Sequence, residues 1–96
     1  MPDDRIPRGD VKDRLREDLL PPWTVVLHND DYNTMSYVVT CLLNTVRVLS
    51  EQRATEIMYE AHAQGRARVV TCPLEVAEFY RDRLESLVLT ASIERD

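Results

Sequence analysis

Glycine and cysteine are scarce in this chain, with 2 of each among 96 residues. With only Gly9 and Gly65 there is no glycine-rich loop whose backbone amides could cradle a nucleotide's phosphates. Cys41 and Cys72 lie far apart and lack the spacing of metal ligands. They read as buried thiols of a reducing compartment, not as a bridge. No apolar run approaches the length of a membrane span. No basic stretch exceeds a residue or two, and the net charge is -5. Nucleic acid is therefore a poor partner, because its phosphates demand a basic surface. The opening stretch, "MPDDRIPRGDVKDRLRED", is charged throughout and does not read as a secretory signal. A cytoplasmic protein is expected.

What remains is a globular balance. Apolar residues make up 44% of the chain and charged residues 30%, enough for a core in one small domain. Residues 1–21 read as a flexible N-terminal extension, ended by Pro21 and Pro22. Residues 22–96 read as the core domain. "WTVVLH" is β-branched and aromatic, the signature of a strand. Asn33 or Thr34 can cap the helix that follows, whose stripe is Met35, Val38, Val39, Leu42, Leu43 and Val46. Ser50 caps a second helix from Glu51 to about residue 64, with Ala54, Ile57, Met58 and Ala61 as its apolar face. Gly65 ends it. "RARVVT" is a second strand. Pro73 suits the first turn of a third helix, with Val76, Ala77, Tyr80 and Leu84 facing inward. In "LVLTASIE", Leu87, Leu89, Ala91 and Ile93 alternate as in a half-buried third strand. The order β-α-α-β-α-β predicts an α+β sandwich, a three-stranded antiparallel sheet with three helices on one face.

The chemistry concentrates between the first strand and the first helix, in "HNDDYNT". Asn29, Asp30 and Asp31 supply more oxygen acceptors than a turn requires. They can cap a helix and compensate its dipole, or they can bind a cation. His62 sits at the border of the second helix's apolar stripe. It is either a half-buried, solvated side chain or a polar group at the rim of an apolar pocket. Met35 and Met58 fill core gaps by default, and they also suit pockets that accept several shapes. No serine or cysteine stands in a nucleophile motif. The acceptor turn lacks the central glycine and distal glutamate of a calcium loop. No enzyme activity, cofactor or metal site is expected.

"VVLHNDDYNTMSYVV" followed by "SEQRATEIMYEAHAQGRA" resembles ClpS, the bacterial N-end-rule (N-degron) adaptor family. The similarity runs from about Trp23 to the C-terminus. It rests on the Asn-Asp-Asp-Tyr turn, the methionine after the Asn-Thr pair, and the His-x-x-Gly helix end. The resemblance implies a binding module, not an enzyme. Such adaptors take proteins with a bulky apolar first residue, Phe, Tyr, Trp or Leu, to a hexameric Clp ATPase of the ClpA or ClpC type working with ClpP. It further implies that Asn29, Asp30 and His62 bind the substrate's α-ammonium group. Met35 would be the gate, and Val38, Met58, Ala61 and Leu89 would line the side-chain pocket. Asp31, Asn33 and Thr34 would form its rim, and Tyr32 and Glu75 would face the ATPase. A monomer with no membrane partner is implied.

This chain departs from the family pattern in places. Asn33-Thr34 stands where Thr-Pro is frequent, and Ala61 where valine is common. The segment between Met35 and Ser50 is one residue longer than usual. A lysine found on the third helix of some members is replaced near Tyr80. Two other readings compete. One is a peptide- or protein-docking module of the same fold that ignores free N-termini. The other is a metal-dependent enzyme or sensor using Asp30, Asp31 and His62.

Overall fold

In the computed structural model, residues 21–96 are described. The N-terminal extension, apart from Pro21, lies outside the described residues. The β-branched run forms strand β1 (Trp23–His28), and it is the middle of the sheet. Strand β2 (Arg66–Cys72) pairs along one side of it and β3 (Thr90–Arg95) along the other, both antiparallel, in the order β2-β1-β3. The pleat sends Val25 and Leu27 into the core beneath the helices. Thr24 and Val26 take the opposite face and are buried too. Ion pairs reach across β1 on the sheet, Arg66 to Glu94 at 2.7 Å and Arg68 to Asp96 at 2.6 Å. Both are largely exposed, so each adds at most about 1 kcal/mol. The Thr24 hydroxyl donates to Asp96 at 3.2 Å and lies 3.0 Å from that of Thr71.

Helices α1 (Met35–Thr45), α2 (Glu51–Gln64) and α3 (Leu74–Ser86) occupy the other face. Helix α2 packs on β2 and α3 on β3, while α1 rests on α2 and α3. Of the two candidate caps for α1, Thr34 takes the role: the Tyr37 amide donates to its Oγ1 at 3.2 Å. Ser50 caps α2 through the Arg53 amide at 3.0 Å. The expected stripe of α2 is buried throughout at Ala54, Ile57, Met58 and Ala61. That of α1 shifts, because Met35 stays 42% exposed while Cys41 and Thr45 are buried. Both cysteines are free, Cys41 buried and Cys72 half-buried.

Gly65 ends α2 in the left-handed region at φ 89°, and its amide donates to the Ala61 carbonyl at 2.8 Å. The Gly65 carbonyl in turn accepts from the Asn29 amide at 3.0 Å. That bond fastens the end of β1 to the end of α2.

Three expectations need correction. Pro73 precedes α3 as its N-cap rather than lying in its first turn. Val76 does not join the core and is 37% exposed; Ala77 and Leu84 carry the buried face. The third strand begins at Thr90, not at Leu87. Leu87, Val88 and Leu89 form a Schellman ending to α3 instead. The Leu89 amide donates to Leu84 at 3.1 Å and the Val88 amide to Glu85 at 3.0 Å. Val88 holds the left-handed position with φ 68°, where a β-branched residue is strained. Leu89 and Leu84, the two apolar partners of this motif, both enter the core.

These two corners make opposite predictions. Replacing Gly65 by Ala is expected to cost about 1 kcal/mol through backbone strain alone, since an added Cβ would meet nothing within 4 Å. Val88→Gly relieves strain and raises unfolded-chain entropy, for a net gain of about 0.5 kcal/mol. Thermal melts check both signs. In the same assay Ile57→Ala, at a fully buried position, is expected to cost about 2–5 kcal/mol.

Candidate functional site

The acceptor turn is built by its own side chains. Asp30 Oδ1 accepts from the amides of Tyr32 at 3.0 Å and Asn33 at 2.8 Å. Its Oδ2 accepts from the Asn33 side-chain amide at 3.1 Å. Short acidic side chains fold turns in this way, by offering the backbone a nearby acceptor. Burial pushes the Asp30 carboxyl upward, but the bonds from Asn33 and Tyr32 outweigh it and hold the carboxyl below its ordinary value. The turn thus carries an anion whose oxygens already hold three donors.

The rest of the site assembles around that turn. A cavity of about 40 Å³ opens beside it. Its lining includes Met35, Val38, Met58 and Ala61 as apolar walls, and Asn29, Asp30, Asn33 and His62 as polar ones. Each wall comes from a different element. Met35 and Val38 stand on the first turn of α1, and Met58, Ala61 and His62 on the second half of α2. The bond from Asn29 to Gly65 brings the turn to the end of α2, so Asn29 and His62 share one corner. Met58 and Ala61 are buried, Val38 is half-buried, and Met35 and His62 are exposed. Buried apolar side chains thus share one small cavity with half-buried and exposed hydrogen-bonding groups. Among the described residues, the side chains of Asn29 and His62 make no hydrogen bond, leaving their acceptor atoms available.

Not every candidate gathers here. Leu89 is buried in the core and does not line the cavity. Asp31 and Thr34 are exposed and lie outside its lining, while Asn33 is within it. Tyr32 is 95% exposed, and Glu75 is exposed in the first turn of α3. Leu27 and His28 belong to the lining although neither was assigned to the pocket from the sequence. As the last residues of β1, next to the acceptor turn, they carried a positional signal that could have found them. The His28 ring is itself engaged, with Nε2 at 2.7 Å from the Ser92 hydroxyl. No three His, Cys, Asp or Glu side chains among the described residues gather closely enough to hold a metal ion.

Comparison with known proteins bears on this arrangement. Residues 19–92 match the family described as ATP-dependent Clp protease adaptor protein ClpS. The ATP-dependent Clp protease adapter protein ClpS of Synechococcus elongatus is 49% identical over 78 residues, covering 81% of this chain and 82% of that protein. Its counterpart in Prochlorococcus marinus is 47% identical over 76 residues, 79% of this chain and 72% of that one. Among solved structures, Agrobacterium tumefaciens ClpS2 bound to L-phenylalaninamide superposes with a TM-score of 0.72 at 28% identity. That match covers 79% of this chain and 98% of the other. The fold it shares is the α+β sandwich described above. By the family match and these relatives, the chain belongs to the ClpS family of adaptors of the ATP-dependent Clp protease.

Proposed function

We propose that this adaptor recognises proteins by a bulky hydrophobic N-terminal residue, Phe, Tyr, Trp or Leu, and delivers them to a Clp ATPase for degradation by ClpP. The observation that carries the reading is the apolar cavity with acceptors at its mouth. A chain's free N-terminus is an ammonium ion at neutral pH, since its pKa is near ~8. It is compact, charged and has three donors. Asn29 and His62 offer it acceptors, and Asp30 offers it a negative charge. Charge-assisted hydrogen bonds of this kind are worth roughly 1.5–3 kcal/mol each. They read the chain end but not the residue that bears it.

Bulk is read by the cavity. Burying a Leu or Phe side chain adds about 1.5–3 kcal/mol, a factor of roughly ten to over a hundred in affinity. The cavity that would receive such a side chain is small. Met35 and Met58 flank it, and their unbranched thioethers can rotate aside to admit one. Met35 at the mouth is the gate, which a side chain branched at Cβ passes poorly. The relative from Agrobacterium supports the reading, because its ligand joins a free α-amine to an aromatic side chain. Exposed Tyr32 and Glu75 are the proposed contacts for a hexameric ATPase, ClpA- or ClpC-type, engaged by a monomeric adaptor in the cytoplasm.

Peptides differing only in residue one provide the test. Phe- and Leu-initiated peptides are expected to bind, whereas Ile, Ala and N-acetylated Phe are expected to fail in a fluorescence titration. Equal binding of free and acetylated Phe would mean a docking module indifferent to free N-termini. Asn29→Ala and His62→Ala are each expected to weaken the Phe peptide by roughly tenfold or more, with unchanged melting because both side chains are exposed. Ala61→Val crowds the cavity, so Trp-initiated peptides are expected to lose roughly tenfold or more in affinity. Leu-initiated peptides should lose less.

A further inference from the structure

Asn33 has chemistry that a place on the pocket rim does not use up. Its side-chain amide carries two N–H donors. One meets Asp30 Oδ2 at 3.1 Å and the other meets the Val88 carbonyl at 2.8 Å. Val88 lies 55 residues further along the chain. A second bond runs parallel to this one, since the Tyr37 hydroxyl donates to the Leu87 carbonyl at 2.7 Å. Two consecutive carbonyls just past α3 are therefore held by two side chains, one before α1 and one in its first turn. Those carbonyls are presented by the corner whose Val88 adopts a left-handed conformation at φ 68°. A flipped Asn33 amide would set its oxygen against a carboxylate and a carbonyl, two acceptors, so one orientation is imposed.

We propose that Asn33 is a positioning residue for ammonium recognition: its amide bridges Asp30 to the Val88 carbonyl and, with Tyr37, fastens the acceptor turn to the corner between α3 and β3. This inference rests on the function proposed above and deepens it. Residues 29–34 form no helix or strand, so the turn's place must be fixed by bonds of its own. The Asn29 amide secures one end, on Gly65. Asn33 secures the other. Without the second anchor the Asp30 carboxylate keeps its two bonds from the backbone but loses its link to the rest of the fold. The turn then samples positions in which Asn29, Asp30 and His62 do not converge. Holding acceptors in place before the ligand arrives lowers the ordering cost of binding.

The mechanism separates charge from bulk, and the test exploits that. Asn33→Ala is expected to weaken binding of Phe- and Leu-initiated peptides by about the same factor, roughly tenfold, leaving their ratio unchanged. Tyr37→Phe, outside the cavity lining, is expected to weaken both by a few-fold, with the melting temperature nearly unmoved. NMR titration of the Asp30 carboxyl supplies a readout independent of peptide. The Asn33 amide helps to hold that carboxyl below its ordinary value, so Asn33→Ala should raise its midpoint. Unchanged affinity in Asn33→Ala, beside tight binding by the unaltered chain, overturns this inference alone. A changed Phe-to-Leu ratio overturns it too, by moving Asn33 to the side-chain pocket. If the unaltered chain binds no Phe-initiated peptide, the proposed function falls and this inference falls with it.

Discussion

A backbone hydrogen bond, from the Asn29 amide to the Gly65 carbonyl, holds the two halves of the site against each other. It joins the point where β1 stops to the point where α2 stops. On one side of it stand the acceptors of the turn. On the other, within one helical turn, stand Ala61 and His62, with Met58 beyond them. The bond exists because Gly65 turns left-handed, which frees its carbonyl from the helix and aims it outward. Central placement of β1 does the rest. A strand paired on both edges holds its C-terminal end firmly, and the turn starts from that fixed end.

The polar part of the site is held in shape by its own hydrogen bonds. Asp30 carries a negative charge suited to a cation, yet its oxygens are engaged by Tyr32 and Asn33. Its charge persists at neutral pH, because those bonds favour the ionised form over burial's opposite pull. A carboxylate held this way acts through its field and through the shape it gives the turn. The side chains of Asn29 and His62, which also line the cavity, are uncommitted among the described residues. Under the proposed function, charge and bulk are read by separate groups lying side by side around the cavity.

Much of this was legible along the chain. β-Branched and aromatic residues marked β1, and the i, i+3, i+4 pattern marked α2 with every buried position correct. Ser50, the pair Asn33 and Thr34, and Gly65 announced helix ends because capping is local chemistry; only the structure chose Thr34 of the pair. The end of α3 was not legible. Leu87, Val88 and Leu89 continue the alternation of the following strand, and valine is an improbable residue for a left-handed corner. Helix α3 overrides the pattern by capping its own carbonyls with the Val88 and Leu89 amides. Leu89, which the family resemblance assigned to the pocket, lies in the core. The bridge from Asn33 to Val88 spans 55 residues, and nothing in the local sequence foreshadows it.

The sequence by itself determined the elements, their order, the composition of the acceptor turn and the apolar face of α2. Those follow from backbone propensity, side-chain period and capping, which act over a few residues. Tertiary structure alone decided which acceptors remain available, which apolar residues surround a cavity and which fill the core. It also decided that the turn is anchored to a strained corner of α3. These outcomes depend on groups brought together across the sheet, where each donor or methyl group satisfies one partner at the expense of another.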